Sequence, residues 1–336
     1  MKKERIKISD IAEELGISTA TVSNVIHGKT KKVSDETVKR VQELIEKSGY
    51  IPSMAGILLA QNDSRIVGIV VNDHEKYEGR VLEDGFISSA INALSKEIDR
   101  AGYFMMVKTT ALWNDIVRFA SMWNMEGLVI IGFCEQDYKK LRESMHIPFV
   151  VYDGYFDEAQ KICNLTIDNY DGGYQVGEYL KRMGHEEVLC ISDNYICVDS
   201  ERVDGCAAAM GEQAVSFMQI PYRKEERMKF YHTQLSEILK YRAVFAVSDY
   251  YAVELIHYLQ EQGIRVPEDI SIVGFDDSPL CMYCAPQLTS VRQDVSLRAK
   301  KAIAILRNLK VGLGEPTTMR LPVSLVERQS VKCMKE

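Results

Sequence analysis

The sequence predicts an N-terminal all-α head carrying a helix-turn-helix, followed by an α/β body of two parallel-sheet subdomains. Three observations carry this. Residues 5–49 hold three short helical patterns separated by glycines and capping residues. From Arg65 onward, short β-branched runs alternate with amphipathic stretches. The net charge of −7 is also split, with +2 on residues 1–60 and −9 on the rest, so the two parts face different partners. The 336 residues amount to about two domains at roughly 150 residues each, enough to bury full cores without disulfide or metal staples.

In chain order, the first helix is expected over residues 10–15, with Ser9 as its N-cap and Gly16 as its stop. Ser18 caps the second, residues 19–27, where Val22, Val25 and Ile26 lie at helical spacing before Gly28. Ser34 caps the third, in which Asp35 and Glu36 suit the first turn, Val38, Val41 and Ile45 form an apolar stripe, and Gly49 closes the helix. In the body, strands are expected at 66–71, 103–107, 127–131, 149–152, 188–191, 243–247 and 271–274, and helices at 86–101, 171–183, 250–262 and 295–309. Apolar strands alternating with helices mean parallel sheets covered on both faces, which bind ligands at the carboxyl ends of their strands. There is no internal repeat and no low-complexity tract.

Composition narrows the function classes. Apolar residues make up 46% and charged residues 26%, an ordinary globular balance. No stretch approaches the roughly 18 to 20 apolar residues that cross a bilayer, and the charged N-terminus lacks the apolar core of a secretion signal, so a cytoplasmic protein without membrane contact is expected. Eight cysteines (Cys134, Cys163, Cys190, Cys197, Cys206, Cys281, Cys284 and Cys333) lie mostly inside apolar runs, as reduced, core-filling thiols do. Only Cys281-Met282-Tyr283-Cys284 has a chemical spacing, and a zinc site would need a second ligand pair. No Gly-x-Ser-x-Gly elbow, Gly-Lys-Ser/Thr phosphate loop or Gly-x-Gly-x-x-Gly turn supplies a nucleophile or cofactor site, so neither an enzyme nor a cofactor or metal is expected. Adjacent Asp276 and Asp277 mimic paired catalytic carboxylates, but neighbours at a strand end point to opposite sides.

The head has the chemistry of a DNA reader. In Ile11-Ala12-x-x-Leu15-Gly16-Ile17-Ser18-x-x-Thr21-Val22-Ser23, the small Ala12 lets two helices cross closely, Gly16 permits the turn, and Ile17 with Val22 pins the second helix. The N-terminal part of that second helix points at base edges in the major groove. Thr19, Ala20 and Asn24 then face outward; Asn pairs bidentately with adenine, while Thr and Ala pack on a thymine methyl. Ser18, where that helix begins, belongs to the DNA-binding set, and Thr21, Ser23, His27, Lys29, Lys31 and Lys32 suit phosphate contacts, which position without reading sequence. The competing reading is a solvated bundle that binds another protein. Three lysines and no acid over residues 16–34 favour DNA.

Ile8-Ser9-Asp10-Ile11-Ala12, Gly16-Ile17-Ser18-x-x-Thr21-Val22-Ser23-Asn24-Val25, Val33-Ser34-x-x-Thr37 and Gly49-Tyr50-Ile51-Pro52 together resemble the head of a lactose-repressor (LacI/GalR) family regulator. The resemblance runs on through Ile147-Pro148-Phe149-Val150-Val151-Tyr152-Asp153, Asp168-Asn169-Tyr170-Asp171-Gly172-Gly173, Gly184-His185, Arg202-x-x-Gly205, the run from Val266 to Asp277, and Leu288-Thr289-Ser290-Val291-Arg292-Gln293. It implies a periplasmic-binding-protein-like body: two subdomains joined by three chain crossings, with a small effector in the cleft. The implied organisation is a DNA-binding domain at 1–50, a hinge helix and linker at 51–62, and an effector-binding and dimerisation domain at 63–336. Within the last, the N-subdomain covers 63–162 and 292–323 and the C-subdomain 163–291 and 324–336.

The implied partners are palindromic operator DNA, a small-molecule effector, most plausibly a sugar or sugar derivative, and a second copy in a homodimer or higher oligomer. A hinge helix from each copy forms on the operator, and Leu59 matches the leucine inserted into the minor groove, unless it simply packs against Ile57 or Leu58. Gly56 stands where the family commonly has Ala, which costs a helix about 0.5 to 1 kcal/mol, and Ala60 where many members carry a basic residue. By the same resemblance, Asp153, Arg202, Asp249 and Asp276 would bond effector hydroxyls or a carboxylate, unless Arg202 and Asp276 form a structural ion pair. Ser248 replaces an Asn common before Asp249, and Gly154 an Arg or Trp common after Asp153. The stretch 206–240 matches no family block. A cytosolic solute-binding module without DNA readout is the alternative function.

Overall fold

The computed structural model describes residues 6–51, 64–133, 135–156 and 161–335. The expected hinge, with Gly56, Leu59 and Ala60, and also Cys134, lie outside the described residues. The chain divides into two compact units, residues 1–64 and 65–336.

The first unit holds α1 (Ile8–Leu15), α2 (Thr19–Ile26) and α3 (Asp35–Ser48). Helix α1 begins two residues earlier than its apolar pattern suggested. Lys7 is its N-cap, and the Asp10 carboxylate accepts the Lys7 N–H at 2.8 Å, so Ser9 sits inside the first turn and donates to Asp10 instead of capping. Ser18 does cap α2: its hydroxyl accepts the Thr21 N–H at 3.1 Å. Ser34 does the same for α3 through Thr37 at 3.3 Å. Gly16 and Gly49 end α1 and α3 at φ of 65° and 66°, the left-handed conformation that lets the following N–H groups turn back onto the last carbonyls. Ile11, Ala12, Val22, Val25, Val41 and Leu44 are buried together at the centre, and the larger ones contribute about 1.5 to 3 kcal/mol each. The Arg40 guanidinium ties α3 to the Leu15 carbonyl at the end of α1.

The second unit is built on two sheets, six-stranded among the described residues. The first comprises β1 (Ile66–Val71), β2 (Phe104–Thr109), β3 (Gly127–Ile131), β4 (Phe149–Tyr152), β5 (Cys163–Ile167) and β11 (Thr318–Leu321), all parallel, in the order β11-β5-β4-β3-β1-β2. The second comprises β6 (Val188–Ser192), β7 (Val215–Gln219), β8 (Ala243–Ala246), β9 (Ser271–Asp276), β10 (Thr289–Gln293) and β12 (Val323–Val326), in the order β12-β10-β9-β8-β6-β7, with only β12 antiparallel. The inner strands β1, β3, β4, β6 and β8 are buried along their whole length, as apolar runs covered on both faces must be. The helices are α4 (Gly85–Arg100), α5 (Trp113–Met122), α6 (Glu135–Ser144), α7 (Asn169–Arg182), α8 (Cys197–Met210), α9 (Lys224–Ile238), α10 (Asp249–Glu261), the short α11 (Leu280–Tyr283) and α12 (Val295–Lys310).

Strand pairing corrects the expected subdomain limits. Residues 163–167 form β5 of the first sheet, so the first crossing follows Ile167. Residues 292 and 293 complete β10 of the second sheet, so the second crossing lies between Gln293 and α12, which packs on β3, β4 and β5 of the first. The third falls between Leu321 of β11 and Val323 of β12, which puts Val323 in the second sheet. Each error is a few residues long, because an apolar run does not reveal which sheet it joins.

Candidate nucleic-acid interface and effector cleft

On the head, Ser18, Thr19, Ala20 and Asn24 are exposed on and before α2, while Val22 and Val25 point inward. The solvent face of α2 is therefore Thr19, Ala20 and Asn24, two of them short and one able to donate and accept at once. Thr21, Ser23 and His27 are half-buried at its margins. The Ser18 and Thr21 hydroxyls already bond each other at 2.9 Å, so both are fixed by the cap. Lys29, Lys31 and Lys32 follow as an exposed basic edge, the last two on a single 3-10 turn.

In the body, the carboxyl ends of β4 and β9 carry two matched arrangements. Each is the third strand in its sheet, and each ends in an aromatic residue and an aspartate: Tyr152-Asp153 and Phe275-Asp276. Asp153 has φ 53°, in the left-handed region that Asp tolerates better than most residues, and Asp276 has φ 113°, a conformation L-residues rarely adopt. Arg202, on α8, stacks on the Phe275 ring at 3.7 Å. Its Nε donates to Asn169 at 2.9 Å, one Nη to the Val247 carbonyl at 2.6 Å, and the other Nη stands 3.8 Å from Asp276. Burial pushes the Asp276 carboxyl well above the usual carboxylate range, against the opposing pull of Arg202. Arg202 and Asp276 are thus brought together, with the Arg202 fork held by Asn169 and the Val247 carbonyl.

Asp153 stands instead against a residue the sequence reading passed over. Arg298 of α12 is 1% exposed, stacks on Tyr152 at 4.2 Å and pairs with Asp153 at 2.7 Å. Asp249 lies beneath these groups. It is 1% exposed; its Oδ2 accepts the Ser278 N–H at 2.6 Å and its Oδ1 the Ser290 hydroxyl at 2.5 Å. It braces the loop after β9 from within, because the first residue of α10 points back under the sheet edge. Burial raises its carboxyl to about 6. Contacts missed from sequence also join the two subdomains: Lys76 reaches Asp193 at 3.8 Å, and the Tyr222 hydroxyl donates to Glu75 at 3.3 Å. Asp193 and Tyr222 sit in loops and Glu75 and Lys76 on a single 3-10 turn, where periodicity carries no signal. Cys281 is buried on α11, and the thiol of Cys284, the residue that ends this helix, donates to the Cys281 and Pro286 carbonyls.

Residues 7–53 match the family model of bacterial regulatory proteins of the lacI family, and residues 178–331 that of periplasmic binding protein-like domains. An HTH-type transcriptional repressor PurR of Vibrio atlanticus (strain LGP32) is 30% identical over 344 residues, spanning 97% of this chain and 99% of that one. The chain belongs to the lacI family of bacterial regulatory proteins. A PurR repressor of Escherichia coli O139:H28 is 28% identical over 96% of both chains. Among solved structures, the fold matches a lac repressor dimer bound to operator and the anti-inducer ONPF, with a TM-score of 0.82, 22% identity, and 98% and 100% of the two chains covered. It also matches a CelR–cellobiose complex, with a TM-score of 0.69, 23% identity, and 97% and 100% covered. The lacI family chain described here is thus related to DNA-binding transcriptional repressors, not to enzymes. No helix among the described residues is long and apolar enough to cross a membrane.

Proposed function

We propose that this chain represses transcription by binding a palindromic operator as a homodimer, with operator affinity set by a small effector held between the two sheets of the body. The observation that carries the reading is the exposed face of α2, with Thr19, Ala20 and Asn24 on base-reading positions and an acid-free lysine edge beside it. Ser18, Thr21, Ser23, His27, Lys29, Lys31 and Lys32 supply phosphate contacts, and Leu59 a minor-groove wedge, by resemblance. A homodimer is supported by exposed apolar side chains on the second subdomain, Leu280, Met282, Tyr283 and Tyr250, at 38%, 51%, 87% and 40% exposure. In the cleft, Arg202, Asp276 and Asp153 suit a ligand rich in hydrogen-bond donors and acceptors, such as a sugar or sugar derivative. Asp249 serves the site from behind.

Selection from a pool of randomised palindromic duplexes tests the reading. The expected result is one enriched half-site bound by two chains, with log affinity falling against log salt at a slope of about −0.9 per neutralised phosphate. Recovery of no preferred sequence would refute it. Melting-temperature shifts across neutral sugars, sugar phosphates and nucleobases then identify the effector class.

A further inference from the structure

The two aspartates at the strand ends are not independent. Arg298 pairs with Asp153 through one Nη, which also donates to the Leu165 carbonyl at 2.6 Å, and its other Nη donates to Oε1 of Gln293 at 3.1 Å. Because that contact fixes which end of the Gln293 amide is the carbonyl, the amide nitrogen points the other way and donates to Oδ1 of Asp276 at 2.8 Å. Gln293 ends β10 in the second sheet, and Arg298 belongs to a helix packed on the first. The chain Asp153–Arg298–Gln293–Asp276 therefore crosses between the subdomains. Both aspartates make these contacts through Oδ1, and neither Oδ2 has a hydrogen-bond partner among the described residues.

Stability alone does not account for Arg298. A buried arginine competes poorly with an apolar residue of similar volume, and its Nε is buried with no hydrogen-bond partner among the described residues. We propose that Arg298 is a positioning residue: through Gln293 it fixes the Asp276 carboxylate, so that ligand contact with the aspartate of one subdomain is transmitted to that of the other. This rests on the effector cleft proposed above.

The direct readout needs no effector. In full-length protein with 13C-labelled aspartate carboxyls, assigned by an Asp276→Asn variant, the Asp276 titration is followed by NMR. The charged groups facing it are Arg202, Asp249 and Asp84, all present in every variant. Arg298→Met frees the Gln293 amide and withdraws a donor from the Asp276 carboxylate, so its midpoint rises by about one pH unit. Gln293→Leu, which leaves the Arg298–Asp153 pair intact, produces the same rise, and the double variant adds nothing further. Arg298→Lys, which retains a donor, moves it less. An unchanged Asp276 midpoint in folded Arg298→Met and Gln293→Leu proteins would overturn the proposal. Any compound found to bind in the sugar, sugar phosphate and nucleobase panel should bind both variants at least tenfold more weakly, and equal affinity overturns the transmission. If the midpoint moves while every compound that binds is indifferent to Asp276→Asn, the link is upheld and the reading of this cleft as the effector site is the part that fails.

Discussion

Asn24 stands four residues from Ala20 on the exposed side of α2, and an amide there distinguishes adenine from the other bases where a methyl cannot. Asn24→Ala should cost roughly 1 to 3 kcal/mol on the selected operator and relax preference at one base pair per half-site, read by repeating the randomised selection with the variant. An unchanged preference would remove Asn24 from the reading set. Asp249 makes a second claim at this scale. Its carboxyl is raised to about 6 in the folded body against about 3.9 in an unfolded chain, so the folded state holds the extra proton between those values. Stability is therefore lost as pH rises from about 4 to about 6, by an order of 3 kcal/mol. Asp249→Asn removes that loss, and the melting-temperature difference between variant and wild type should grow across this window and then level off. Parallel curves would contradict it. The sequence announced Arg202 and Asp276 through motif position, yet it concealed Arg298. Beside Lys300 and Lys301 that arginine reads as part of a solvated basic face, and its acidic partner, Asp153, lies far away along the chain.

Among the elements, the crossing of α7 and α8 sets the position of Arg202. A methyl on Gly173 would lie 1.8 Å from the Arg202 carbonyl oxygen, and one on Gly205 would lie 2.0 Å from that of Tyr170. The two backbones touch through these glycines, so neither helix can carry a side chain there without moving the other. Gly205→Ala should destabilise the body by about 1 to 3 kcal/mol or more. Both tryptophans, Trp113 and Trp123, belong to the body, so fluorescence-detected urea unfolding follows that unit, and an unshifted midpoint would contradict the close crossing. The glycines were visible within motifs, but α8 itself was not foreseen. Its sequence, CVDSERVDGCAAAM, has no apolar stripe, because it buries Asp199 and Arg202 alongside Val203 and Cys206. Strands β5, β7, β10, β11 and β12 also escaped: β7 and β11 lie half-exposed at sheet edges, and the buried β5 and β10 carry polar residues, such as Asn164, Thr166, Thr289 and Ser290, that break the apolar run. The inner strands β1, β3 and β4 were legible to the residue because full burial on both faces allows little but β-branched and other apolar side chains.

At the scale of the whole molecule, the charge split along the sequence corresponds to two units with different chemistry: a small capped bundle with a lysine edge, and a body whose polar groups gather at the strand ends of two sheets. Function in this reading is a coupling between them. If a ligand at Asp153, Arg202 and Asp276 changes operator affinity, thermodynamic linkage requires the operator to change ligand affinity by the same factor. For a coupling of ordinary size, that factor lies between about 5 and 150. The decisive measurement is a pair of titrations on the full-length protein: the selected operator with and without the compound found in the panel, and that compound with and without saturating operator. The account predicts equal factors within this range, both abolished by Arg202→Ala. Two affinities that do not respond to each other, or a coupling that survives Arg202→Ala unchanged, would contradict it.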